Sequence, residues 1–181
     1  MKSLSTQIFA ILLTSLFLLP GCLEDSDLSN NESIVFPDFT STGHDGEVYS
    51  LSNYTGSPFI ALFSAEWCDT PCHKTMHAIN STLNGPNMFI MSTDPQENPQ
   101  GITLLDWYDK ANAHDDNGDD LGQTLNFPFM KGIEAAESLD IDARPTIFFV
   151  DENGIVAERS EGELTNEDEI LDCWTKAGGT V

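Results

Sequence analysis

Residues 59–72 read Phe59-Ile60-Ala61-Leu62-Phe63-Ser64-Ala65-Glu66-Trp67-Cys68-Asp69-Thr70-Pro71-Cys72. The stretch opens on five consecutive apolar residues, which suits a strand buried on both faces. It closes on two cysteines with three residues between them. Beyond it, Cys72, Met76, Ile79 and Leu83 follow at spacings of four, three and four, one apolar stripe of a helix. That spacing predicts a helix over 71–83, with Pro71 in the first turn, where its missing N–H costs nothing. Asn84-Gly85-Pro86 ends it, and 87–93 reads as a second buried strand. Strand, helix and strand make a βαβ unit, whose crossover is right-handed.

Upstream, 34–40 reads as a short strand interrupted by Pro37, and 47–51 alternates as a second strand. Downstream, 94–144 is a long connection with two predicted helices, 102–113 and 131–139. A strand at 146–150 meets a returning strand at 155–159 through Asp151-Glu152-Asn153-Gly154, where Asn-Gly is the strongest hairpin signal. Residues 167–176 form a closing helix with acidic residues in its first turn, as the helix dipole favours. The fold class is α/β: a mixed central sheet flanked by helices, with an N-terminal strand pair and a long helical insertion before the 146–150 strand.

The first residues stand apart from that domain. Lys2 precedes an almost unbroken apolar run at 8–19. Twelve residues are too few to cross about 30 Å of hydrocarbon as a helix. The run fits the core of a secretory signal. Leu19-Pro20-Gly21-Cys22 resembles a lipobox, which is cut before a cysteine that then carries lipid. An ordinary cleaved signal or an uncleaved anchor, with Cys22 incidental, also exports the domain. The expected division is therefore a signal at 1–21, an acidic flexible tether at 22–33 and a folded domain at 34–181. The expected place is the outer face of the cytoplasmic membrane, reached by a lipid anchor on Cys22.

Seven basic residues stand against thirty acidic ones, a formal charge of −23. Losing Lys2 with the signal makes it −24. Nucleic acid is excluded as a partner, because phosphate contacts need a basic face. The acidic surface suits salty surroundings, a basic partner or plain solubility.

Of four cysteines, lipid on Cys22 would leave Cys68, Cys72 and Cys173, and an odd number argues against a purely structural disulfide framework. A thiolate is the nucleophile of disulfide exchange. Cys68 sits between a strand end and a helix start, where backbone N–H groups favour negative charge. Cys72 is placed to resolve a mixed disulfide, and Trp67 to pack over the site. A static disulfide closing a small loop is the alternative from the residues alone. Cys173 is a buried or bystander thiol.

The segment 63–68, followed by Pro71-Cys72, resembles the active-site segment of thioredoxin-like proteins. It is most similar to the exported, membrane-anchored branch of thiol–disulfide oxidoreductases, related to the redoxins. Ala143-Arg144-Pro145-Thr146 before the 146–150 strand is the second match. The resemblance covers roughly 34–177. It implies a thioredoxin fold, Cys68 and Cys72 as catalytic pair, and a cis Pro145 that, with Arg144 and Trp67, contacts substrate. A cis bond is affordable only before proline. The resemblance also implies protein thiols and disulfides as substrates, a membrane electron donor, and a redox-active disulfide with no other cofactor or metal. The family's usual spacing is two residues. The extra residue here changes the loop, and Asp69 places a negative charge beside Cys68 that opposes thiolate formation.

Three residues between cysteines is the spacing of the Sco copper chaperones, which share the fold. A thiolate pair suits Cu(I) and an added histidine Cu(II). Sco proteins carry that histidine just before the late strand, where this chain has 142–145 and none. His73, His77 and His114 are substitute candidates, each simply read as a surface residue. A peroxidase of the peroxiredoxin kind needs Thr or Ser three residues before the reactive cysteine, and Ala65 stands there. A non-enzymatic binding module is the remaining reading. The acidic run 115–120 offers carboxylates for Ca2+, yet its glycine and closing residue do not fit an EF-hand loop, and a solvated loop is the simpler account. Trp107 and Trp174 read as core.

Overall fold

The computed structural model describes residues 33–114 and 124–181. The expected signal, Cys22 with the tether through residue 32, and the acidic run at 115–120 lie outside the described residues.

The strands are β1 (Thr40–Thr42), β2 (Val48–Ser50), β3 (Phe59–Ser64), β4 (Met88–Ser92), β5 (Phe129–Lys131), β6 (Thr146–Val150) and β7 (Val156–Glu161). The helices are α1 (Thr70–Leu83), α2 (Leu104–Asn112), α3 (Ile133–Ser138) and α4 (Glu167–Lys176). β1 and β2 form an antiparallel pair of their own. The main sheet runs β5-β4-β3-β6-β7; β4 is parallel to β3 and to β5, and β6 is antiparallel to β3 and to β7.

Strand periodicity explains the apolar run at 59–63. Ile60 and Leu62 pack to one face, with Met76, Ile79 and Leu83 of α1, Ile170 and Trp174 of α4, and Trp107 of α2. Phe59, Ala61 and Phe63 pack to the other, with Phe36, Phe89, Phe148, and Ala135 and Ala136 of α3. Both faces are covered, so neither can be polar. The predicted apolar stripe of α1 is the one buried, and Trp107 and Trp174 are core as expected.

Four elements depart from the sequence reading by two residues or more. The segment 34–40 is no strand: Val35 makes one isolated bridge to Ile155, and pairing begins only at Thr40. Pro37 has no N–H to give a ladder. Phe36 is nonetheless fixed by packing, edge-on to Phe59 at 5.6 Å and to Phe148 at 6.1 Å. Residues 131–139 are not one helix. Lys131 ends β5, and α3 starts only at Ile133, after Gly132. Gly132 lies against Met91 of β4, where a Cβ would come within 2.5 Å of the Met91 sulfur. α2 begins at Leu104, behind a capping box in which Thr103 and Asp106 bond reciprocally. β7 reaches Glu161, two residues beyond the expected end.

Candidate active site

The cysteine loop leaves the end of β3 and enters α1. Asp69 occupies the N-cap position of α1 but its carboxylate caps nothing. The backbone does the local work: Cys68 N–H donates to the Ala65 carbonyl (2.9 Å), and the N–H groups of Cys72 and His73 both donate to the Asp69 carbonyl (3.1 and 3.0 Å). The two cysteines are joined in a disulfide with Cα atoms 5.9 Å apart. They are not equivalent. Cys68 keeps 7% of its surface exposed and Cys72 none, so a partner can reach only Cys68.

The Arg144–Pro145 bond is cis, as the resemblance implied. β3 pairs antiparallel with β6, Phe63 opposite Thr146. Continuing that register sets Pro145 opposite Ser64, beside the start of the cysteine loop. Arg144 then reaches across the rim. Its guanidinium carbon lies 5.5 Å from the Trp67 ring centroid, and its Nε donates to Thr93 Oγ1. Trp67 Nε1 donates to Asp94 Oδ2 at 2.8 Å. Trp67 is thus held from two sides and still 40% exposed, an apolar platform beside Cys68. Burial alone would raise the Asp94 pKa; the Gln96 N–H, the Trp67 indole and the charges of Lys131 and Arg144 outweigh that and hold it below the usual carboxylate value.

Behind the loop sits a buried ion pair. Glu66 is fully buried; one carboxylate oxygen pairs with Lys131 and the other accepts from Ser92 Oγ at 2.5 Å. Lys131 also donates to the Gln96 carbonyl at 2.6 Å and to the Asp94 carbonyl at 3.3 Å. On the other flank, Asp69 pairs with Lys110 of α2. The bond from Lys110 is the main reason the Asp69 pKa is lowered. Lys110 thus partly offsets the charge expected to oppose a Cys68 thiolate.

Residues 34–159 match the AhpC/TSA family. The chain belongs to the AhpC/TSA family. Over 134 residues it is 25% identical to the thiol-disulfide oxidoreductase ResA of Geobacillus kaustophilus, covering 73% of this chain and 70% of ResA. Its fold is similar to the exposed lipoprotein thioredoxin Etrx1 of Streptococcus pneumoniae (TM-score 0.57, 21% identity, 77% of this chain and 99% of that one). It is also similar to BsSco, a member of the Sco family of cytochrome c oxidase assembly proteins (TM-score 0.59, 18% identity, 80% and 94%). These likenesses bear out the thioredoxin fold, its redoxin branch, and an enzyme of the thiol–disulfide oxidoreductase kind.

In this AhpC/TSA protein Cys68, Cys72, Trp67, Arg144 and Pro145 all gather at one end of the sheet. Cys173 is a free buried thiol on α4, its pKa raised mainly by burial. His73 is no surface residue: it is 1% exposed. Burial, aided by the charge of His114, pushes its pKa down to about 4. The site residues that sequence reading missed are Glu66, Ser92, Asp94, Lys110 and Lys131. One signal was there: the chain has only seven basic residues, and Lys110, Lys131 and Arg144 all converge here. Among the described residues, no helix is long and apolar enough to cross a membrane.

Proposed function

We propose that this AhpC/TSA protein is an exported, membrane-tethered oxidoreductase that exchanges disulfides with other proteins through Cys68 and Cys72. The observation that carries the reading is the asymmetry of the bonded pair, Cys68 partly exposed and Cys72 fully buried. In the reducing direction the Cys68 thiolate attacks one sulfur of a partner disulfide. A Cys68–partner bond forms, the partner's own bond breaks, and its second sulfur leaves as a thiolate. The Cys72 thiolate then attacks the Cys68 sulfur. The Cys68–Cys72 bond forms, the remaining partner sulfur leaves as a thiolate, and two electrons have passed to the partner. The reverse sequence oxidises a dithiol. Trp67, Arg144 and Pro145 form the rim on which partner backbone rests. A membrane electron donor resets the pair.

Export rests on 1–21 as signal, Cys22 as lipid site and 22–33 as tether, and the likeness to the exposed lipoprotein of Streptococcus pneumoniae supports it. Labelled lipid enters the wild type and not Cys22→Ala; equal labelling removes the anchor. For the chemistry, Cys72→Ser accumulates mixed disulfides with protein partners on non-reducing gels, and Cys68→Ser accumulates none. Equal trapping, or none in either variant, overturns the exchange reading.

The three-residue spacing favours a second reading, copper delivery of the Sco kind. Against it, the position before Pro145 holds Arg144, a cation engaged with Trp67 and Thr93. A peroxidase reading is disfavoured because Ala65 offers no hydroxyl and is fully buried.

A further inference from the structure

His73 and His77 lie one turn apart on α1 and share a face. His114, just past α2, packs against both: its ring centroid is 5.2 Å from that of His73 and 6.1 Å from that of His77. His77 is already committed, with Nε2 2.8 Å from the Ala111 carbonyl oxygen. The Nε2 atoms of His73 and His114 are buried and have no hydrogen-bond partner among the described residues. An unsatisfied buried polar atom costs about 1–3 kcal/mol. Here two belong to neighbouring rings. Both rings line one solvent-open cavity of about 500 Å3, shared with Asp69, Thr70, Lys110 and Ala113.

We propose that His73 and His114 bind one borderline divalent transition-metal ion of the Zn2+ class through their Nε2 atoms, at a site separate from the cysteine sulfurs. Imidazole nitrogen is the donor such ions prefer. A Zn–N bond of about 2.0–2.1 Å and a tetrahedral angle set two imidazole centroids about 5 Å apart. The observed centroid separation of 5.2 Å matches that spacing. Among the described residues no three such donors already surround one point. The ion therefore takes two protein ligands and completes its shell with water. Asp69 lies on the same wall, so a bound dication adds positive charge one residue from Cys68.

The test uses the full, tag-free chain with its disulfide intact. It is titrated with Zn2+ by calorimetry and with Co2+ as a visible-absorbing substitute. The expected result is one equivalent bound, with a Co2+ spectrum that lacks a sulfur charge-transfer band. His73→Gln and His114→Ala each weaken binding more than about ten-fold with unchanged far-UV circular dichroism. If His73→Gln fails to fold, His114→Ala, at a less buried position, decides the matter alone. No saturable uptake, equal uptake by wild type and His114→Ala, or uptake only after the cysteines are reduced overturns the proposal.

Discussion

Lys131 pairs with Glu66, a carboxylate with no exposed surface two residues before Cys68. The pair ties the end of β5 to the root of the cysteine loop, and the Ser92 hydroxyl ties in the end of β4. Strand ends that would otherwise splay are locked where the loop departs. Removing one partner of a buried pair strands the other charge, at a cost of about 3–5 kcal/mol.

Lys131→Met should accordingly lower unfolding stability by about 3–5 kcal/mol. The double variant Glu66→Gln with Lys131→Met should recover most of that loss, since neither leaves a bare charge. Urea denaturation of both proteins checks it; a single variant as stable as wild type contradicts the pairing.

Trp67 is oriented by Asp94 and Arg144. Asp94→Ala should free the indole, raising its quenching by acrylamide, because Trp107 and Trp174 are buried and contribute little. Arg144→Ala should slow exchange with a protein partner while shifting stability by no more than about 1 kcal/mol, the scale of an exposed cation–π contact. Quenching unchanged in Asp94→Ala would remove the bond from the account.

Lys110 neutralises Asp69 beside Cys68. With the ion pair half exposed, its effect on the thiol is modest. In the reduced protein, Lys110→Ala should raise the Cys68 pKa and slow iodoacetamide alkylation at neutral pH about two- to fivefold, the range of an exposed pair. Asp69→Asn should speed it, and added salt should shrink both effects.

His73 makes stability depend on pH. Its folded pKa is about 4, below the unfolded value of 6.5, so between these the unfolded chain binds the extra proton. Stability therefore rises with pH across that window, and is lost as pH falls through 6.5 toward 4. The contribution is about 3 kcal/mol. His73→Phe should flatten the rise between pH 4 and 6.5, read from thermal melts.

How much of this the sequence carries depends on the range of the interaction. The βαβ unit, α4 and the cysteine loop follow from local periodicity and caps, and were legible: α4 spans 167–176 as expected. β5 was not. It is three residues long, and its strand character comes from pairing with β4 some forty residues earlier. The Glu66–Lys131 pair joins residues 65 positions apart, so neither residue reveals the other. His73 lies off the apolar stripe of α1, and its neighbour His114 stands 41 residues later in the chain. Cys68 and Cys72 were legible because their chemistry is carried by their own spacing; the compensating Lys110 was not, because it arrives on another helix.

The proposed exchange requires Cys68 and Cys72 to cycle between disulfide and dithiol. The direct measurement equilibrates the chain in graded dithiol buffers and counts trapped thiols on the two cysteines by mass spectrometry, with and without one equivalent of copper. The expected result is a reversible two-electron transition between about −120 and −270 mV, the span of exchange proteins, with copper leaving the oxidised form unchanged. A pair that does not cycle, yet holds copper tightly when reduced, would contradict it and favour the metal chaperone.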